Sequence, residues 1–501
     1  MTTTFGLPRW LFIYGLALPL AVLVGYILAV PLTLANIIFL GGLLFVLTFP
    51  VLMRWHHAML IFTWNASLIV FFLPGQPNLG IVMAAISLCF SVLARTMREG
   101  NRALYVPSVA WPLIWLVVVV VVTGKLTGGF GGRALGTEAW GAKRYLGVLG
   151  AIVGYFALVA QAAPRERAKT YAYAFILSGT TAMISDLVYA AGPKFYGMYA
   201  VFSSNLAISQ ALSQEAMLRL TGVAFGAMSG YHFLLMRYGV SGLCEVTKPW
   251  RLIVFAGLVA ASLLGGYRSA LLLALFLFAF QFYLEGHFRS QLLPVFLLVG
   301  ALLGCGLVAF SERLPLSVQR SLSFLPLNVD PSAKLDARSS WEWRVDMWKV
   351  VVPEIPKYLL LGKGFAFSGT DMYLTEEAMR RGLAQGYEAA VVGGIYHQGV
   401  LTLIIPFGIF GVLGFAWFCW AGGRVLYLNY RFGDKSLEQI NRFLFAYFLS
   451  RLVFYLFFYG QFDMDLMIFT GAVGMSICIN GGVKTANAIE PVVEPDLAAT
   501  A

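Results

Sequence analysis

Long apolar runs recur through the chain, at 10–30, 34–53, 57–74, 78–95, 107–123, 145–162, 170–190, 221–237, 252–267, 269–285, 291–310, 399–422, 439–460 and 464–481. Runs of about 17–25 apolar residues fit helices that cross a hydrocarbon core of ~30 Å. The runs are continuously apolar rather than alternating, which argues against a membrane β-barrel. Composition agrees, with 59% hydrophobic and only 12% charged residues and a mean hydropathy of +0.78. The expected fold class is an all-α polytopic membrane protein of about 12–14 transmembrane helices.

The net charge of +11 does not form one patch, so a nucleic-acid partner is not expected. Basic residues instead sit in short connections between runs: Arg54, 95–102, Arg165 and Arg167, 237–251, Arg289 and 424–435. With both ends cytoplasmic, this satisfies the positive-inside bias. Connection 125–144, with four basic residues on the outer side, is the exception. The five cysteines show no metal-ligand spacing, so neither a disulfide nor a metal site is expected.

One long segment cannot span. Residues 311–396 carry ten basic and ten acidic residues and several prolines. The expected organisation is a transmembrane bundle over 1–310, a large outer loop over 311–396, C-terminal transmembrane helices over 397–483 and a disordered cytoplasmic tail over 484–501. Within the outer connections, helical patterns are expected near 210–220, 341–352 and 375–384.

Certain charges need a reason. Arg268 interrupts an apolar stretch from Leu252 to Leu284, which as one helix is about 50 Å long and too long for one crossing. A tight turn at Gly265-Gly266-Tyr267-Arg268-Ser269 resolves this and sets Arg268 at the outer surface. Arg219 and His397 also fall at outer span ends, and Arg344 lies in the loop on a helical face shared with Trp341 and Trp348. Singly, each has an ordinary explanation, such as snorkelling to headgroups or a solvated face. Together, three arginines and one histidine on one side suit a particular chemistry. Guanidinium forks bind phosphate without losing charge, and an imidazole can take a proton from an attacking hydroxyl. Arg451 and Asp186 lie inside runs, where ionisable groups are usually paired, and a mutual ion pair is the favoured expectation.

Several short motifs in the region 210–425 resemble those of the O-antigen ligase and O-antigen polymerase superfamily of bacterial envelope glycosyltransferases. His397-Gln398, nine residues and then Gly408-Ile409-Phe410-Gly411 is similar to that family's His-(Asn/Ser/Gln) and GxxG pattern. Gly266-Tyr267-Arg268-Ser269-Ala270 resembles its Gly-Ser-Arg-Gly turn, with Tyr267 and Ala270 as departures. Arg344, Trp348, Pro356 and Leu361-Gly362-Lys363-Gly364 resemble its Arg…Trp…Pro-Leu-Gly-x-Gly run, and Arg219-Leu220-Thr221-Gly222 its earlier basic span entrance. The resemblance implies a GT-C-like fold in the bacterial inner membrane with a periplasmic active site. It implies metal-independent transfer of a glycan from undecaprenyl diphosphate to an acceptor hydroxyl on a lipid-linked glycan, on lipid A-core or, in some oligosaccharyltransferases, on a protein. His397 would be the base, and Arg219, Arg268 and Arg344 would hold the diphosphate, with no cofactor. The competing expectation is a transporter or flippase of lipid-linked glycans, marked by midplane charges and broken helices.

Overall fold

The structure is a computed structural model that describes residues 9–29, 34–73, 75–97, 104–131, 139–211 and 218–485. Nearly all regular structure in these residues is helical, and the single small sheet pairs Ala139–Trp140 antiparallel with Phe367–Ser368. Among the described residues, seven helices are long and apolar enough to cross a membrane: Leu79–Thr96, Pro107–Leu126, Arg165–Ala191, Leu292–Arg313, Leu401–Phe432, Lys435–Phe457 and Phe462–Asn480. Ala17–Tyr26, Trp250–Gly265 and Arg268–Leu284 are shorter apolar helices.

The chain divides into two compact units, 1–56 and 57–501. The first holds the apolar Arg9–Ala29 helix, with Pro19 inside it, and the beginning of Leu34–Thr63. All site residues belong to the second. There the expected span at 57–74 does not form, because the helix stops at Thr63. Leu68 and Ile69 instead pair as isolated bridges with Phe202 and Asn78. Hydropathy alone does not distinguish such a partly buried extended segment from a span. The expected tight turn is present: Trp250–Ser262 gives way to a short 3-10 turn, Gly266 takes φ +71°, and Arg268 opens the next helix.

Small residues let the helices of the second unit approach closely, which is how helices pack where lipid supplies no hydrophobic drive. A Cβ at Gly154 would sit 2.4 Å from the Trp64 ring, one at Gly414 2.6 Å from Trp115, and one at Gly474 3.1 Å from Leu158. Three of the fully buried aromatic side chains here, Phe418, Phe448 and Phe469, come from the last three spans.

The interlock that matters most for the site is between loop and span. Gly408, at φ +60°, breaks the Leu401–Phe432 helix just after Pro406. The freed backbone groups are taken up by the loop: Lys363 N–H donates to Ile405 O (2.7 Å), Gly364 N–H to Pro406 O (2.9 Å), and Ile409 N–H to Leu359 O (2.7 Å). A Cβ at Gly408 would lie 2.6 Å from the Leu359 and Leu360 carbonyl oxygens, and one at Gly362 only 2.2 Å from Pro406 O. Left-handed backbone plus a clash with main chain leaves an added side chain nowhere to go. Gly408→Ala is therefore expected to destabilise the protein by roughly 2–4 kcal/mol, read as a lowered melting temperature in detergent. Unchanged melting would show that the loop does not dock on the kink.

Candidate functional site

The arginine cluster of the site assembles from four segments of the second unit. The first two are tied together by backbone: Leu220 N–H donates to Leu264 O (3.1 Å), which sets Arg219 beside the Gly266–Arg268 turn. Beneath that turn packs the loop helix Leu316–Leu322, through an apolar contact of Leu263 with Val318 and Leu322. That helix brings in a guanidinium the sequence reading missed. Arg320 is buried, donating from Nη1 to Gly266 O and from Nε to Asp336 Oδ2.

The fourth segment is the loop helix Pro331–Val351, whose start is set by Asp330 accepting from Ser332 N–H (2.8 Å) with Pro331 at the first position. Its Asp336 also accepts from Arg219 Nη2 at 2.9 Å, and its Ala337 carbonyl accepts from Arg268 Nη2 at 2.8 Å. Arg344 lies seven residues after Ala337, two turns on, and so on the same face about 10 Å along. Its Nε is buried with no hydrogen-bond partner in the structure. Arg320, Arg344 and Asp336 all act electrostatically on Arg268, and Arg320 acts on Arg219 and Arg344 as well. Four guanidiniums thus share one neighbourhood, and Asp336 is the one carboxylate acting on them in these contacts.

His397 is held beside this cluster by neighbours on both sides. Trp348 Nε1 donates to Tyr396 O at 2.8 Å, and Gln398 is fixed by donating to Leu456 O (3.1 Å) while accepting from Leu401 N–H (2.7 Å). Below them Met347 and Val351 pack with Tyr396, Leu401 and Ile405. His397 takes φ +53°, a left-handed conformation that costs a non-glycine residue about 1–2 kcal/mol. The ring stands edge-on to Trp343 (5.2 Å between centroids) and tilted against Tyr459 (5.6 Å). Burial and then the Arg344 charge pull the imidazole pKa down to about 4, so it is neutral at physiological pH. Burial pushes the Tyr459 phenol up to about 12, so its hydroxyl remains protonated.

Arg144 supports the segment leading to His397. It donates to the Gly393 and Gly394 carbonyls (3.0 and 2.9 Å), pairs with Asp463 at 3.1 Å and lies over the Phe365 ring. This accounts for one of the basic residues that stood out on the expected outer side.

The structure thus brings Arg219, Arg268, Arg344 and His397 together and adds Arg320, Asp336, Trp343 and Tyr459. The expected Trp341–Trp348 face is present, with the two rings 5.9 Å apart. The helical pattern at 210–220 is seen only as Asn205–Ala211; 212–217 lie outside the described residues, and 218–220 are not helical. The tail from 486 onward also lies outside them. No Asp186–Arg451 ion pair is found among the described residues. Asp186 Oδ2 instead accepts from Val223 N–H (2.9 Å), capping the Thr221–Leu243 helix. Arg451 acts electrostatically on Asp465 and His232.

No protein-family model matches the chain, and no curated protein matches it.

Proposed function

We propose that the protein is a metal-independent glycosyltransferase of a bacterial inner membrane, taking a glycan from undecaprenyl diphosphate to an acceptor hydroxyl at the periplasmic face. The acceptor is a second lipid-linked glycan, in a polymerase, or lipid A-core, in a ligase. In this reading the 311–396 loop is periplasmic, the fold is GT-C-like, and the seven long and three shorter apolar helices among the described residues belong to a set of about 12–14 spans. The observation that carries it is the gathering of Arg219, Arg268, Arg320 and Arg344 in one cluster, with Arg344 acting on a neutral imidazole. The short motifs around these residues support the same reading.

In the proposed step the acceptor oxygen attacks the anomeric carbon while His397 takes the hydroxyl proton. The bond from that carbon to the diphosphate oxygen breaks, and the diphosphate leaves with the electron pair. The guanidiniums stabilise the charge that grows on it. The test is transfer by purified protein in proteoliposomes from a synthetic undecaprenyl-diphosphate glycan. Transfer that is lost in His397→Ala, with protein level and donor unchanged, supports the reading, and normal product from that variant overturns it.

A pH dependence follows from the neutral imidazole. A base must be unprotonated to act, and a pKa lowered below 6.5 keeps it so into acid. The acid limb of kcat/KM is expected to fall near pH 4 rather than near 6.5. Arg344→Ala, which removes the repelling charge, should move that limb upward. A limb that stays in place would show that Arg344 does not face His397.

A second reading, transport of lipid-linked glycans, is favoured by one observation: within the last two spans Arg451 acts electrostatically on Asp465, and it acts on the neighbouring His232 as well. For a transporter, loss of these groups would strand donor on the cytoplasmic face, whereas His397→Ala in a transferase leaves it on the periplasmic face.

A further inference from the structure

The contacts of Asp336 and Ala337 tie the arginine cluster together. These two adjacent residues engage three of the four guanidiniums: the Asp336 carboxylate bridges Arg219 and Arg320, and the Ala337 carbonyl takes Arg268. The partners are unequal in burial. The Arg320 side chain is 8% exposed and the Asp336 side chain 40% exposed. The arginine is locked in place, donating also to Gly266 O beneath the turn. The carboxylate sits at the rim, where it regains water on leaving at little cost. A single carboxylate oxygen, Oδ2, accepts from both guanidiniums, and guanidiniums bind carboxylate and phosphate oxygens by the same charge-assisted hydrogen bonds.

The geometry points to Asp336 as a built-in stand-in for phosphate: the diphosphate of a lipid-linked ligand takes over its place on Arg219 and Arg320, and the start of the Pro331–Val351 helix is released as it binds. This rests on the proposed function only for the identity of the ligand. The exchange sets affinity. Ligand must displace a carboxylate to bind, so the wild-type protein holds diphosphate more weakly than the arginines alone would, and product diphosphate leaves more readily. The lipid-linked form is the favoured source because Arg219 and Arg268 stand at the ends of apolar helices.

The test uses the full chain in nanodiscs, titrated with farnesyl diphosphate and, separately, with inorganic pyrophosphate. Asp336→Asn keeps the size of the side chain and removes its charge. It is expected to tighten farnesyl diphosphate by about tenfold, the worth of one charge-assisted contact, while Asp336→Glu, which keeps a carboxylate, stays near wild type. Equal tightening of pyrophosphate would assign the exchange to the diphosphate alone. Tightening confined to farnesyl diphosphate would assign it to the lipid-anchored form. Unchanged or weaker binding in a folded D336N protein overturns the exchange and makes Asp336 a plain structural tie. If D336N does not fold, hydrogen exchange in the wild type decides: amides of 334–341 should exchange faster when farnesyl diphosphate is added, and slower exchange would overturn the proposal. Failure of the wild type to bind either diphosphate would instead overturn the reading of the arginine cluster itself.

Discussion

His397→Ala is expected to lower glycan transfer by about 10²–10⁴-fold, the range that a positioned general base contributes. The effect should fall on kcat rather than on donor affinity, because in the proposed step the imidazole acts on the acceptor hydroxyl and not on the diphosphate. The surroundings make this a sharp test. His397 is seated by its backbone and by aromatic neighbours, with Tyr396 and Gln398 each fixed independently of the ring. Removing the imidazole should therefore leave the segment in place. His397→Gln is a useful companion, since it retains a polar side chain that cannot accept the proton as an imidazole does. A polymerase so altered accumulates single repeat units on the carrier, and a ligase accumulates full-length polymer on it. Either result fixes the acceptor class at the same time as the role.

Arg344→Lys should cost about 10²–10³-fold in transfer although the charge is kept. Arginine offers five donors in a planar fork, whereas lysine offers a compact ammonium whose reach and geometry differ. The Nε of Arg344 is buried and without a hydrogen-bond partner in the structure, while Arg219, Arg268 and Arg320 are engaged by Asp336–Ala337. Arg344 is also the guanidinium that acts on His397. It is therefore the fork best placed to bind the phosphate next to the breaking bond, where a charge-matched donor is worth most. A variant that retains full kcat would show that positive charge alone suffices. Arg338→Lys, at an exposed pair with Glu342 on the same helix, should be near neutral by comparison.

Much of this was legible in the sequence wherever a length or a charge conflicted with the membrane. The turn before Arg268 was forced by an apolar stretch too long for one crossing, and Trp341, Arg344 and Trp348 share a face by helical spacing. The loop motif 361–364 and the glycines after His397 could be read as a pattern, but not as an interlock. That they fill each other's missing backbone partners shows only in three dimensions. Arg320 and Asp336 were not legible, because in a segment with ten basic and ten acidic residues nothing local singles them out. Their importance comes from meeting Arg219 across 117 residues of chain. Tyr459 was hidden for another reason, since a tyrosine at a span end reads as an interfacial anchor. The early part of the chain misled for the opposite cause. The Leu34–Thr63 helix runs on through Arg54, where a connection was expected, and the apolar residues after Thr63 serve a partly buried extended segment. Asp186 looked like a partner for Arg451, yet a carboxylate can be satisfied by a helix N-terminus instead.

The most direct measurement of the central claim is a structure of the protein in lipid with an undecaprenyl-diphosphate glycan, or a non-transferable analogue of it, bound. The account predicts the two phosphates among Arg219, Arg268, Arg320 and Arg344, with the anomeric carbon turned toward His397 and Asp336 moved aside. A diphosphate bound elsewhere, or a sugar pointing away from that imidazole, would contradict it.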